Sequence, residues 1–295
     1  MTKAKCQCCD SEKLENLKNS SFFKFPVLKC QNCESSSTQI DKNFDLKKYY
    51  DKIYWSTFRN IENKAVNKQE VDSGYLLKKF PKFIQDLVEL TGVRKAQAFS
   101  QFNYIIPFIK GKKILEIGSG EGFLLELFLK NGFDVFGIEP SSENVERINK
   151  ILGKKICSQG FAEDVEKFNE KFDAIILSHV FEHVLNYRNL LDILNEKLSE
   201  NGILFLEVPN CSNKKILEHS IFEQPHIHHF TLKGFEKIAN KTNFNILKKD
   251  IFYSGLDTLS SHLKFLVYWF IKKDYNISSS EQIGTEIRVI FSKTS

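Results

Sequence analysis

The chain has 295 residues, 42% of them hydrophobic and 27% charged, which suits one sizeable core with an accessory module and excludes a disordered chain. Of its 42 basic residues only Arg59, Arg94, Arg147, Arg188 and Arg288 are arginines, and the net charge of +5 is spread over scattered lysines, which argues against a nucleic-acid face. The opening MTKAKCQCCD has no apolar signal region and the longest apolar run, Phe265 to Ile271, is too short to span a membrane, so a cytoplasmic protein is expected.

Taken in chain order, residues 1–40 come first and hold five of the seven cysteines. Cys6-x-x-Cys9 and Cys30-x-x-Cys33, with twenty residues between the pairs, have the spacing of a four-thiolate zinc site. A segment this small needs such a staple, and the missing signal region disfavours disulfides. Cys8 either replaces Cys6 or Cys9 or stays a free thiol. Asp10 and Glu34 stand where a glycine often follows the second cysteine of such a knuckle. Cys157 and Cys211 read as buried apolar residues. Residues 41–80, polar with embedded aromatics, read as a connector packing on the core.

From 81 to 295 helices and strands alternate. KKILEIGSG reads as a buried strand and FLLELFLKNG as an apolar helix stopped by Gly132. FDVFGIEP is a second strand, SSENVERINKILG a helix capped by Ser141 or Ser142, and KKICSQG a short third strand. FDAIILSH, the helix YRNLLDILNEKLSENG and the strand ILFLEVPN follow, then a helix capped by Thr231. FNILKKDIFYSG and TEIRVIFSK close the series, with residues 256–284 as a helical insertion that covers the active site or mediates dimerisation. This order implies an α/β fold with a doubly wound, mostly parallel sheet.

In such a sheet ligands bind at the carboxyl ends of the strands, where the first strand–helix turn lies. Here that turn is Gly118-x-Gly120-x-Gly122, with one residue in each gap and the carboxylates Glu116 and Glu121 beside it. Acidic neighbours suit a ligand that carries positive charge and no phosphate, as S-adenosylmethionine does with its ammonium and sulfonium groups. Glu139, at the end of the second strand, can accept hydrogen bonds from both hydroxyls of a ribose. Phe161 can lie against an adenine, with Glu163 or Asp164 accepting from its amine.

ILEIGSGEG, GIEPS, FDAIILSHVFEHV, LSENGILFLEVPN and HIHHFT together resemble the class I S-adenosylmethionine-dependent methyltransferases over roughly residues 81–255 and the last strand. The resemblance implies a Rossmann-like seven-stranded sheet with its last strand antiparallel. It puts Glu116 near the methionine end, Gly118, Ser119, Gly120 and Gly122 in the turn around it, and Glu139 and Pro140 at the ribose. Ala162 and Glu163 border the adenine, and Ser178 lies under the methyl. Joined to a zinc-ribbon-like module, the chain is similar to a subgroup that modifies nucleotide-linked sugars, although it lacks that subgroup's further C-terminal domain and reads Pro225-His226 where that subgroup has Glu-His.

The expected acceptor is a small molecule, such as a sugar or nucleotide-linked sugar carrying a hydroxyl or amine. His226, His183 and His179 follow strand ends and are the candidate bases, with Glu182 as an orienting partner. The histidines of HIHHF with His219 match no metal-binding spacing. An RNA base methyltransferase is opposed by the scarce arginines and by SHVFEH where an NPPY-like tetrad would stand. A non-catalytic scaffold is opposed by the intact glycines and Glu139.

Overall fold

The computed structural model describes residues 4–41, 44–45, 93–252 and 279–294. Most of the expected connector, residues 81–92, residues 253–255 and residues 256–278 of the insertion lie outside the described residues.

The N-terminal segment forms an antiparallel ribbon of β1 (Leu14–Asn19), β2 (Pro26–Cys30) and β3 (Ser36–Thr38). Helix α1 (Val93–Ile105) then leads into β4 (Lys113–Ile117), α2 (Phe123–Lys130), β5 (Asp134–Glu139), α3 (Ser142–Leu152) and β6 (Cys157–Gln159). Next come β7 (Phe172–Ser178), α4 (Tyr187–Lys197), β8 (Leu198–Pro209), α5 (Lys214–Phe222) and β9 (His228–His229). The series ends with α6 (Leu232–Ala239), β10 (Phe244–Phe252) and β11 (Glu286–Lys293). Ser141 caps α3 by accepting from the Asn144 N–H, and Thr231 caps α6 by accepting from the Gly234 N–H.

Seven strands build one sheet in the order β10-β11-β8-β7-β4-β5-β6. β4 is parallel to β5 and β7, while β11 runs antiparallel to both β8 and β10. Strand order therefore reverses at β4, the position at which α/β sheets bind ligands. Both faces are covered. Leu115, Ile117, Leu177 and Leu206 pack with Phe181, Tyr187 and Phe235 on one side, and Ile114, Ile176 and Phe205 with Tyr104 and Phe128 on the other. That double burial explains why these strands read as continuous apolar runs.

Three details correct the sequence reading. The helix expected through Gly202 stops at Lys197, because Leu198 is fully buried and pairs with Phe172 as the first residue of β8. Residues 281–283, expected as helix, form a turn, in which Ser280 accepts the N–H groups of Ile283 and Gly284. Asn210 holds the turn by donating to the carbonyls of Glu281 (2.8 Å) and Gly284 (2.9 Å). The N-terminal ribbon gains a fourth strand that the sequence did not announce, since β3 pairs antiparallel with β9. Among the described residues no helix is long and apolar enough to cross a membrane.

Candidate functional site

Ile117 lies opposite Ile138 on one side and Leu177 on the other, so Gly118, Glu139 and Ser178 leave the sheet side by side at its carboxyl edge. The turn needs its glycines. Gly118, Gly120 and Gly122 have φ of 75°, 52° and 80°, and a Cβ on Gly118 would come within 2.2 Å of Val180. The turn's N–H groups are used inside the protein. Those of Gly118 and Ser119 donate to the Ile138 carbonyl, that of Gly120 to the Glu139 carboxylate at 2.9 Å, and that of Gly122 to the Ser119 carbonyl.

A phosphate cradle presents free N–H groups; this turn presents acceptors. Glu116 is 6% exposed, and its Oε2 has no hydrogen-bond partner among the described residues. Burial and the nearby Glu139 charge push the Glu116 carboxyl up to about 8. Glu139, 2% exposed, also accepts from the Ser141 N–H at 3.1 Å. Two buried carboxyl groups beside a turn with four of its N–H donors spent suit a cationic ligand. Pro140 and Phe161 are half-buried, Ala162 is buried, and Glu163 is exposed. Asp164 accepts from the Phe161 N–H and pairs with Lys167 (2.7 Å), which leaves Glu163 as the freer of the two acids expected near an adenine.

Ser178 donates to Glu207 at 2.9 Å and accepts from Gln101 at 2.8 Å. Glu207 is wholly buried near the carboxyl end of β8, where it also accepts from Gln97, Gln101 and Arg288. Burial opposes its charge, yet Arg288 and His179 hold the carboxyl down at about 2. His179 is next in line. Its φ of 53° is strained for a side chain other than glycine, a feature that gathers at functional sites. Its ring stands 3.5 Å from Glu182, 3.7 Å from Glu207 and 3.4 Å from Glu286. Burial disfavours the imidazolium, but these three carboxylates override it and raise the ring to about 10. A ring that holds its proton more tightly is a poorer base, which weighs against His179 among the three candidate histidines.

His183 and His226, distant in sequence, meet edge to face with ring centroids 4.7 Å apart. His183 Nδ1 lies 3.1 Å from the Pro225 carbonyl, so Nδ1 carries the proton and Nε2 the lone pair. His226 Nδ1 lies 2.8 Å from the Ser220 hydroxyl, and its Nε2 lies 3.9 Å from Glu182. Glu182 is 1% exposed, and neither carboxylate oxygen has a hydrogen-bond partner among the described residues. Burial lowers both rings, His226 most strongly, and both are neutral at pH 7. His228 is committed elsewhere, to Ser37 through Nδ1 (2.9 Å) and to the Val184 carbonyl through Nε2 (3.0 Å).

The sulfurs of Cys6, Cys9, Cys30 and Cys33 converge within 4.8 Å of one another, with no disulfide among them. Cys6 to Cys33 is 3.4 Å and Cys9 to Cys30 is 3.5 Å. Each knuckle closes by a backbone hydrogen bond, Asp10 to Cys6 and Glu34 to Cys30, with Asp10 and Glu34 in the left-handed region at φ 59° and 64°. The glycine often found there is thus replaced without loss of the turn. Cys8 is not one of the four mutually close sulfurs, yet it lies beside Cys6 and Cys33 and accepts from the Tyr187 hydroxyl at 3.3 Å.

Sequence reasoning overlooked Gln97, Gln101, Glu207, Glu286 and Arg288. One signal was present, the acid inside the otherwise apolar run ILFLEVPN. A charge there must be paired.

The chain matches the family described as a methyltransferase domain over residues 92–249. The mitochondrial ubiquinone biosynthesis O-methyltransferase of Homo sapiens is 34% identical over 110 residues, a match covering 34% of this chain and 29% of that protein. An enzyme of the same name from Agrobacterium fabrum is 24% identical over 180 residues, covering 60% and 71%. The match spans less than half the length of the first curated relatives. Two solved structures share the fold. One is an S-adenosylmethionine-dependent methyltransferase from Archaeoglobus fulgidus, with 20% identity, TM-score 0.52, and 72% of this chain and 100% of that one covered. The other is the plantazolicin methyltransferase, solved with S-adenosylhomocysteine and a substrate analogue, with 19% identity, TM-score 0.50, and coverage of 78% and 91%.

Proposed function

The chain belongs to the methyltransferase-domain family, and from that premise we propose that it transfers a methyl group from S-adenosylmethionine to a small-molecule acceptor. The observation that carries this reading is the glycine turn, with four N–H groups spent internally and Glu116 and Glu139 buried beside it. Bound S-adenosylmethionine supplies an electrophilic methyl group on a sulfonium. Glu116 and the Gly118–Gly122 turn would receive its ammonium end and Glu139 its ribose, with Ala162 and Glu163 along the adenine. Ser178 and the fixed charges of Glu207 and His179 would line the acceptor end. His183 and His226 are the uncharged histidines left to meet the acceptor.

The names of the curated relatives support an oxygen acceptor. The cysteine module and the subgroup it resembles support a sugar or nucleotide-linked sugar, with an amine as the other acceptor atom. Four converging thiolates in closed knuckles fit a structural zinc ion. Calorimetric titration of the full chain tests the central reading. S-adenosylmethionine and S-adenosylhomocysteine should both bind while NAD does not; a folded, zinc-loaded chain that binds neither adenosyl ligand refutes it.

A further inference from the structure

Glu182 raises a problem that the methyl-transfer reading leaves open. It is 1% exposed and has two carboxylate oxygens without a hydrogen-bond partner among the described residues. His179 stands 3.5 Å away and balances part of the charge, yet it donates no hydrogen bond of good geometry to either oxygen. An unsatisfied buried carboxylate is costly unless a cation completes it.

The two neighbouring histidines supply the rest of a donor set. Ligand atoms of Glu182, His183 and His226 all lie within 4.8 Å of one another. Each imidazole is held from behind at Nδ1, His183 by the Pro225 carbonyl and His226 by the Ser220 hydroxyl. That is the outer-shell arrangement of metal-binding histidines, in which the far nitrogen is fixed by a hydrogen bond and the near one carries the lone pair. Two imidazoles and one carboxylate make three protein ligands on one side, leaving other positions open.

We propose that Glu182, His183 and His226 bind a divalent transition-metal ion, separate from the four-cysteine site and next to the acceptor end of the pocket. The two sites differ in chemistry. Four thiolates favour zinc and close its coordination, whereas an N2O set accepts manganese, iron or zinc and keeps room for an oxygen ligand. Through His179, the second site lies within reach of Glu207, which accepts from Ser178. An ion there would hold an acceptor by a hydroxyl oxygen. That last point rests on the methyl-transfer reading; the metal site itself does not.

The test is metal titration of the full-length chain with its zinc in place. Mn2+, which the thiolates select against, should bind at about one equivalent per chain, read from the loss of the free-ion EPR signal. Glu182→Gln keeps the side chain's shape and should weaken Mn2+ at least about tenfold, as should His226→Gln. In both variants the zinc content and the affinity for S-adenosylhomocysteine should match the parent, which shows that fold and cofactor site persist. Failure to take up Mn2+, together with no zinc beyond the thiolate complement, overturns the proposal. So does a Glu182→Gln variant that binds Mn2+ like the parent. Because cofactor binding is read separately, a failed metal site and a failed methyltransferase reading give different results.

Discussion

Glu116 shows how much one buried carboxyl can report. In the free protein its proton is held until about pH 8, because burial and the Glu139 charge disfavour ionisation. An ammonium group placed against it reverses that preference. Cofactor binding at pH 7 should therefore release about one proton, and affinity for S-adenosylhomocysteine should rise as pH climbs toward 8. Calorimetry in buffers of different ionisation heat reads the proton directly; Glu116→Gln should abolish the release and bind at least about tenfold more weakly. Binding with no proton exchange would remove Glu116 from the ammonium site. The sign for stability is opposite. Between the ordinary carboxyl value of 4.5 and about 8 the folded chain binds a proton that the unfolded chain does not, so this residue lowers stability as pH rises through that window. Glu116 and Glu139 could be picked out from sequence because strand, turn and acid follow one another closely. Glu182, His183 and His226 could be picked out as candidate bases with an orienting acid, but not as one convergent donor set, since that depends on a loop returning to the strand ends.

At the scale of elements, the junction between β3 and β9 decides how the cysteine module relates to the site. The paired residues are Ser36 with His229 and Ser37 with His228, and His228 ties Ser37 to the carbonyl of Val184, next to His183. The knuckles are clamped as well. Asp10 pairs with Arg188 (2.7 Å) and Lys241 (3.1 Å), Glu34 pairs with Lys233 (3.0 Å), and Thr231 donates to the Cys33 carbonyl (2.7 Å). Acids in place of the usual glycines thus serve as docking groups, at the cost of a left-handed backbone. Removing the zinc proposed for the four cysteines, or substituting Cys6→Ser with Cys33→Ser, should loosen β9 while sparing the glycine turn, which follows β4 of the other sheet. Hydrogen exchange should rise in residues 226–231 and stay unchanged in 113–122, with S-adenosylhomocysteine affinity within about twofold. Equal loss of protection in both segments would mean that the module supports the whole fold. The central strands β4 and β7 were readable because burial on both faces makes them mostly apolar. β9 was not, because two histidines carry no strand period and their pairing partner lies near the other end of the chain.

For the whole molecule, the last strand does more than close the sheet. β11 enters between β8 and β10 and brings Arg288 against Glu207, with the Ser100 hydroxyl accepting from its other arm at 2.8 Å. Arg288 is 4% exposed and its guanidinium lies 4.7 Å from the Phe252 ring centroid, so it joins α1, β8, β10 and β11 in one buried contact. The same strand begins with Glu286, which faces His179. The site is therefore complete only when the C-terminal end of the chain is in place, and folding and site assembly share one ion pair. Arg288→Met would strip the guanidinium from the buried Glu207 charge, leaving it only His179 and the donors Ser178, Gln97 and Gln101, which should cost about 3 kcal/mol in urea unfolding of the full chain. Glu207 itself adds stability that is present above pH 4.5 and is lost as pH falls through about 2. The double variant Glu207→Gln, Arg288→Met removes both charges and should recover more than half of the loss. If the single variant is as stable as the parent, the pair contributes nothing net and the strand is held by its apolar neighbours Ile287, Val289 and Phe291 alone. If the double variant is no better than the single, the loss lies in the packing of the arginine stem against Phe252 and not in the stranded charge.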